Sequence, residues 1–218
     1  MGITTFSFDL LKRTKLRHLD LKSVCELGSQ NDYTVGAENP PFANELYKRL
    51  GFNEYTCIDL AGDNNAIEYD LSKYLNHSTK YDLVTDFGTS EHIVLSDGYI
   101  KTSFNGGNIN SVYPMVVENI QQGYYNCWLN KHNLLKEGGL MINENPLTGN
   151  WPEHGYSYLG ENFYNELCKI ADYEIIEQGT HAAMGNTENG WNIWAVLKKT
   201  GDKFPNFDEF NRLAVFKE

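Results

Sequence analysis

Acidic residues recur in this chain directly after short apolar runs. Residues 22–30 read K-S-V-C-E-L-G-S-Q, in which an apolar run ends in an acid and a glycine turn. Residues 55–59 form a second run that ends in an acid, and acidic positions return in residues 68–70 and 81–91. A strand that ends in this way presents backbone N–H groups and a carboxylate to a nucleotide-like ligand. Four such acidic positions along one chain predict a ligand-binding site where neighbouring strands end.

Composition restricts the classes of partner. The chain has 218 residues, a formal net charge of −11 and a pI near 5.0, which argues against a surface that follows nucleic-acid phosphates. Because no apolar run approaches about 18 residues, we expect no membrane segment. Four widely spaced cysteines without a C-x-x-C pair indicate reduced thiols and a cytoplasmic location, not a zinc site. The length fits one α/β domain over residues 1–218.

The elements that must position these residues alternate along the chain. Short apolar runs separated by helical stretches indicate a buried parallel sheet with crossover helices. Residues 173–178 and 191–198 lack a helix between them, which predicts an antiparallel hairpin at the sheet edge. The other predicted strands are 23–26, 55–59, 83–85 and 140–143, and the predicted helices are 5–20, 42–50, 115–136, 162–171 and a short one within 202–218. The polar, glycine-containing segment 94–112 is predicted to be a lid or insertion.

This order of signals resembles class I S-adenosylmethionine-dependent methyltransferases over about residues 22–199. The run V-C-E-L-G-S-Q is similar to the family's first motif, although Gln30 stands where a second glycine usually lies. Residues 134–142, L-L-K-E-G-G-L-M-I, are similar to its helix-turn-strand signature. The resemblance implies a doubly wound, mostly parallel seven-stranded sheet of Rossmann-like type with a C-terminal antiparallel hairpin.

The resemblance also implies a cofactor, S-adenosyl-L-methionine, and residues that would hold it. Asp59 matches the acid that bonds both ribose hydroxyls, and Asp70 matches the acid that meets the adenine amino group. The alternatives are that Asp59 caps a turn and that Asp70 caps a helix near residues 71–75. The expected cofactor-binding set is Glu26, Gly28, Ser29, Asp59, Leu60, Asp70, Leu71, Phe87 and Gly88, in which Leu60, Leu71 and Phe87 would sandwich the adenine.

Two polar clusters fall where the acceptor chemistry of such an enzyme would lie. His92, beside Glu91, is the first choice as general base, with a helix-start residue as the alternative. His154 lies in W-P-E-H-G-Y-S-Y, and residues 151–158 are predicted to form an acceptor loop or an ordered surface loop. His92, Glu144 and His154 could converge, but the chain has no H-x-x-x-H spacing, and we expect no metal.

The expected function is methyl transfer to a small or medium polar acceptor, either a small molecule or a glycan-like compound. A nicotinamide or flavin oxidoreductase would need G-x-G-x-x-G after the first strand, and Gly28 is followed by no such pattern. The alternative is a degenerate methyltransferase-fold protein that binds the cofactor or a partner without turnover. Nucleic-acid acceptors are disfavoured, while tRNA and protein acceptors, the acceptor atom and the oligomeric state stay open.

Overall fold

A seven-stranded sheet forms the centre of the molecule in a computed structural model that describes residues 2–103, 109–182, 190–213 and 215–216. In chain order the strands are β1 (Ser23–Leu27), β2 (Glu54–Asp59), β3 (Ile67–Glu68), β4 (Tyr81–Phe87), β5 (Leu135–Pro146), β6 (Tyr173–Ala182) and β7 (Trp191–Lys199). Their spatial order is β6-β7-β5-β4-β1-β2-β3. Strands β1 to β5 run parallel, and β7 lies antiparallel to both β5 and β6. The predicted mostly parallel sheet with an antiparallel C-terminal pair is confirmed.

Helices cover the sheet from two sides because successive strand residues point to opposite faces. The helices are α1 (Thr5–Arg17), α2 (Asn44–Arg49), α3 (Ile120–Leu134), α4 (Phe163–Ile170) and α5 (Phe207–Phe210). Cys25 and Val84 pack in one apolar cluster with α3, α4 and α5, whereas their neighbours Val24 and Leu83 pack in a second cluster with α1 and α2. Two 3₁₀ turns, Tyr33–Val35 and Ser90–His92, lie after β1 and β4.

Short strand pairs attach the connecting segments to one another. Gly2–Ile3 pairs in parallel with Asn31–Asp32, which places the start of α1 beside the turn that follows β1. Tyr158–Leu159 pairs antiparallel with Val215–Phe216, so the segment after β5 is held by the end of the described chain. Two further antiparallel pairs are Leu95–Ser96 with Val117–Asn119 and Tyr99–Ser103 with Ile109–Pro114.

Several predicted elements differ from those in the structure. The predicted helix 115–136 begins only at Ile120, because Val117–Asn119 pairs as a strand and the Asn119 side chain accepts the Gln122 N–H as an N-cap. The segment 94–112 contains strands on either side of residues 104–108, which lie outside the described part. Residues 71–73 form turns where a helix was considered, and the C-terminal helix is the four-residue α5.

The two edges of the sheet differ in length and charge. β3 has two residues, whereas β6 has ten and carries a register shift between Ile175 and Glu177. The Glu177 carboxylate lies 2.9 Å from Arg13 and 3.1 Å from Arg17, which ties α1 to this edge. Among the described residues, no helix is both long and apolar enough to span a membrane.

Candidate functional site

The turn after β1 is closed by a contact with the loop after β4. Gly28 has a φ of +72°, and a Cβ there would lie 2.3 Å from Oγ1 of Thr89. The Thr89 hydroxyl donates to the Leu27 carbonyl at 2.8 Å, and the buried Gln30 amide donates to Thr89 at 3.1 Å. Glycine is therefore required at position 28, because any Cβ there would overlap the Thr89 side chain. Gln30 fills the space beside it with an amide, which accounts for the departure from the glycine pattern.

Glu26 lies fully buried in β1 near this turn. Its Oε2 accepts the Tyr55 hydroxyl at 2.7 Å and the Gln30 N–H at 3.4 Å. Its Oε1 has no hydrogen-bond partner among the described residues. Burial raises the pKa of Glu26 to about 8, against the lowering effect of these hydrogen bonds. The carboxyl group is thus protonated at neutral pH unless a cationic group lies beside it.

Asp59 joins the ends of β1 and β2. Its two carboxylate oxygens accept the N–H groups of Ser29 at 2.7 Å and Ala61 at 2.6 Å. The turn-capping role is therefore present. Because each carboxylate oxygen has two lone pairs, each retains the capacity to accept one more hydrogen bond. The Ser29 hydroxyl is buried without a hydrogen-bond partner among the described residues. Asp59 and Ser29 can therefore both form further hydrogen bonds to a ligand.

Asp70 lies in a turn after β3. One of its oxygens accepts the Ser72 N–H at 3.0 Å and the Tyr99 hydroxyl at 3.3 Å, and the other lies 3.3 Å from the Lys73 ammonium. Asp70 therefore caps a turn and not a helix. Of the three predicted adenine neighbours, Leu71 and Phe87 are buried and Leu60 is partly buried.

A buried ion pair positions the loop after β4. The Asp86 carboxylate lies between the Lys131 ammonium, at 2.9 Å, and the N–H groups of Thr89 and Ser90, at 3.0 and 3.2 Å. Burial alone would raise the pKa of Asp86, but Lys131 and these donors hold it below its usual value. The loop therefore starts from a fixed point, and the turn Ser90–His92 follows directly.

Glu91 is the centre of a cluster with two histidines. Its Oε2 accepts the Asn145 amide at 3.1 Å, whereas its Oε1 has no hydrogen-bond partner among the described residues. The Nε2 atoms of His92 and His154 each lie 3.7 Å from this Oε1, and the two ring centroids are 4.8 Å apart. Burial lowers the pKa of His92, which offsets the opposing effect of Glu91.

The chain brings His154 to this cluster by docking residues 151–158 on Glu91. The Glu91 carbonyl accepts the N–H groups of Tyr156 at 2.7 Å and Ser157 at 3.2 Å. Gly155 packs so closely there that a Cβ would lie 2.9 Å from the same carbonyl oxygen. The predicted loop thus meets Glu91 and His92, while Glu144, which was considered as a further member of this group, lies in a second cluster.

Glu144 forms a second cluster from distant parts of the chain. Its Oε2 accepts the Ser7 hydroxyl at 2.7 Å, and its Oε1 accepts the Asn192 amide at 2.9 Å. The Nε2 of His181 lies 2.8 Å from Oε1, and the His181 ring stacks on Phe6 at 3.7 Å. Sequence reasoning missed Ser7, His181 and Asn192, because no local spacing links α1 to the terminal hairpin.

A cavity of about 610 Å³ lies between the two clusters, at the carboxyl ends of β4 and β5. Parallel sheets bind ligands at this edge. The cavity is lined by Gly2, Thr4, Thr5, Phe6, Ser7, Tyr33, Phe87, Gly88, Glu91, Glu144, Pro146, Trp151, His154, His181, Ala182 and Asn192. The structure therefore brings four predicted residues to the cavity, namely Phe87, Gly88, Glu91 and His154. The predicted residues at the ends of β1 and β2 form a separate group beside it, joined through the contact of Thr89 with Gly28.

Several solved structures of similar fold are methyltransferases. The S-adenosylmethionine-dependent methyltransferase from Clostridium acetobutylicum matches with a TM-score of 0.53 and 13% identity, covering 89% of this chain and 91% of that one. The 1,6-didemethyltoxoflavin-N1-methyltransferase of Burkholderia thailandensis, solved with bound 1,6-didemethyltoxoflavin and S-adenosylhomocysteine, matches with a TM-score of 0.51 and 13% identity over 89% of this chain and 78% of that one. The N-methyltransferase NodS from Bradyrhizobium japonicum matches with a TM-score of 0.52 and 13% identity over 89% and 97%. No protein-family model and no curated protein matches the sequence. At these identities the likeness shows the fold.

Proposed function

We propose that this chain is an S-adenosylmethionine-dependent methyltransferase that acts on a small or medium polar acceptor. The observation that supports the proposal is a contact between two neighbouring groups of residues at the carboxyl ends of the parallel strands. The first is the β1–β2 corner with Asp59, Ser29 and Glu26, and the second is the cavity lined by ionisable side chains. Their link through Thr89 and Gly28 supports the proposal that they are two parts of one site.

The residues at the β1–β2 corner fit the cofactor. Asp59 has acceptor capacity for ribose hydroxyls, and the unpartnered Ser29 hydroxyl and Glu26 Oε1 are polar atoms that a ligand could satisfy. Asp70, Leu60, Leu71, Phe87 and Gly88 complete the proposed set, with Gly28 keeping the turn tight. When bound, S-adenosylmethionine supplies a methyl group on a positively charged sulfur. The neighbours solved with S-adenosylhomocysteine share the fold of this chain, which supports S-adenosylmethionine as the cofactor.

The acceptor would occupy the cavity, and the proposed catalytic residues are Glu91 and His154, which line it, and His92, which lies beside Glu91. Methyl transfer requires an in-line approach and, for a hydroxyl or ammonium acceptor, a destination for its proton. Burial favours the neutral form of His92, which is the form that can accept a proton. The loop 151–158 would cover the acceptor, and the segment 94–112 is proposed as a lid within one domain of residues 1–218. The cavity volume suits a small molecule or one sugar-like unit.

A second candidate, a protein that binds the cofactor or a partner without turnover, is favoured by one observation. Both Asp59 oxygens already accept a backbone N–H, and Gln30 packs against Thr89 at the glycine turn. A bound cofactor would therefore have to form hydrogen bonds with Asp59 oxygens that each accept one hydrogen bond already. This candidate predicts binding of the cofactor or of a partner and no methyl transfer to any acceptor.

Calorimetric titration with S-adenosylmethionine and S-adenosylhomocysteine, with NAD as the control ligand, tests the proposal. We expect saturable binding of the two sulfur nucleotides and none of NAD. An acceptor screen with a labelled methyl donor then separates the enzyme from the binding protein. Absence of binding by both sulfur nucleotides would contradict the proposed enzyme and would leave only a protein that binds a partner.

A further inference from the structure

We propose that Glu91, His92 and His154 bind a divalent transition-metal cation in the wall of the cavity. The binding itself follows from the geometry of these three side chains, whereas the role given to the cation rests on the proposed function. The sequence offered no metal-ligand spacing, since His154 lies far along the chain from the other two residues.

The distances within the cluster favour a shared ion over direct hydrogen bonds. One ligand atom from each residue lies within 4.8 Å of the others, and both Nε2 atoms are 3.7 Å from Glu91 Oε1. A hydrogen bond between nitrogen and oxygen needs about 3.2 Å or less. Ligands bound tetrahedrally at about 2.1 Å from one ion lie roughly 3.4 Å apart. A small inward movement of the imidazoles therefore suffices for coordination.

The Glu91 carboxylate is the independent sign of a ligand. Its side chain is only 1% exposed, and its Oε1 has no hydrogen-bond partner among the described residues. Leaving a buried carboxylate oxygen without a partner is costly, and a cation is the partner that best offsets the cost. Asn145 holds the other oxygen at 3.1 Å, which fixes the direction in which Oε1 points.

The surroundings leave room for the ion and for a further ligand. The side chains of His92 and His154 are 33% and 39% exposed, so the cluster opens on its imidazole side. A Cβ at Gly88 would lie 3.2 Å from Glu91 Oε1, and glycine at that position keeps this approach clear. Glu91 and His154 both line the cavity, so the open coordination positions would face it.

The ligand set selects the class of metal. Two imidazole nitrogens and one carboxylate oxygen suit Zn²⁺, Mn²⁺, Fe²⁺, Co²⁺ or Ni²⁺ with positions left for water or substrate. Mg²⁺ and Ca²⁺ prefer oxygen ligands throughout. A transition-metal ion here would bind an oxygen of the acceptor and lower the pKa of its hydroxyl group.

The resulting reaction balances without another reagent. The hydroxyl proton passes to water, the oxygen–methyl bond forms, and the carbon–sulfur bond of the sulfonium donor breaks to leave a neutral thioether. In this arrangement the two imidazoles are ligands to the ion, so their role as proton acceptors passes to solvent.

The test is metal titration of the tag-free full chain after treatment with a chelator, in the absence of any nucleotide. We expect about one Zn²⁺ or Co²⁺ per chain by calorimetry, visible absorption bands from bound Co²⁺, and no comparable affinity for Mg²⁺. Glu91→Gln and His154→Ala should each weaken binding at least about tenfold, and Asn145→Ala should weaken it by about tenfold as loss of an outer partner. His18→Ala removes an imidazole at the C-cap of α1 and should leave binding unchanged.

His154 lies on a partly exposed loop, so His154→Ala remains informative if Glu91→Gln fails to fold. Circular dichroism and the melting temperature verify folding of each variant. Absence of saturable binding, or equal affinity in wild type, Glu91→Gln and His154→Ala, would overturn the proposal. Because metal binding and S-adenosylmethionine binding are measured separately, failure of either one leaves the other result readable.

Discussion

The ammonium of Lys131 lies 2.9 Å from the Asp86 carboxylate, and neither side chain is exposed to solvent. The same ammonium donates to the Asn143 amide oxygen at 2.8 Å and lies 3.4 Å from the centroid of the Trp128 ring. One cation thus connects α3, β4 and β5 beneath the loop that carries Glu91. This relationship explains how a loop after β4 holds its catalytic candidates in place.

Lys131→Met should destabilise the protein by about 3–5 kcal/mol, because it leaves the Asp86 carboxylate buried without its partner. Urea unfolding followed by circular dichroism measures the change. Adding Asp86→Asn to Lys131→Met should recover part of the loss. Lys136→Met is the matched control, since Lys136 is 47% exposed in its pair with Asp82 and should cost about 1 kcal/mol or less. Equal losses in the two single variants would contradict the structural role.

Asp59→Ala should weaken S-adenosylmethionine binding by on the order of 2 kcal/mol, or about thirtyfold, because it removes a charged acceptor at the β1–β2 corner. Calorimetry gives the dissociation constant. Asp63→Ala, four residues further along, is the control for loss of one negative charge. If the Asp59 and Asp63 variants bind like wild type, Asp59 serves only to cap its turn.

Glu26 should make the protein less stable as the pH rises from about 5 to 8. An ordinary glutamate, with a pKa of 4.5, loses its proton near pH 4.5 in the unfolded chain, whereas the buried group keeps it up to about pH 8. The folded state therefore binds more protons in this window, and the free energy of unfolding falls as the pH rises.

Melting temperatures of wild type and Glu26→Gln across pH 5–8.5 test this, without cofactor present. The variant should lose this contribution to the pH dependence and gain relative stability at the alkaline end. Glu45→Gln, which changes an exposed carboxylate, should follow the wild-type curve. A Glu26→Gln curve parallel to that of wild type would show that the buried group does not titrate in this range.

Gly155→Ala should loosen residues 151–158 from Glu91, because the added Cβ would lie 2.9 Å from the Glu91 carbonyl oxygen. We expect faster hydrogen exchange at the N–H groups of Tyr156 and Ser157, which donate to that carbonyl. Exchange at the N–H of Gly28, in the turn after β1, serves as the internal control. Unchanged exchange at both loop positions would contradict the docking of the loop on Glu91.

Most of the sheet was predictable because six of its strands contain apolar runs that end in polar turns, whereas the two-residue β3 was not predicted as a strand. β1, β2 and the hairpin of β6 and β7 lie within a few residues of their predicted bounds. The start of α3 was not predictable, because apolar Val116 and Val117 continue the helical spacing into a segment that pairs as a strand. Tertiary pairing overrides local periodicity at such positions.

The members of the site were partly predictable, and their grouping was not. Glu91, His92 and His154 were identified from their places after strands, and Glu144 was considered as a further member of the group. Glu144 and Asn145 are neighbours on β5, and successive strand residues point to opposite faces. Asn145 consequently meets Glu91, while Glu144 meets Ser7. A contact between α1 and β5 depends on chain topology, which no short sequence window contains.

The opposite edges of the sheet have a consequence for self-association. An exposed edge strand can template pairing with another chain, and proteins blunt such edges with short strands, bulges and charges. β3 offers only two residues, whereas β6 is interrupted beside Glu177, whose charge is neutralised by two arginines of α1. Both margins therefore discourage cross-β aggregation. Three buried polar atoms without a hydrogen-bond partner among the described residues, Glu26 Oε1, Ser29 Oγ and Glu91 Oε1, lie instead near the carboxyl ends of the strands, where a small ligand rather than another strand can satisfy them.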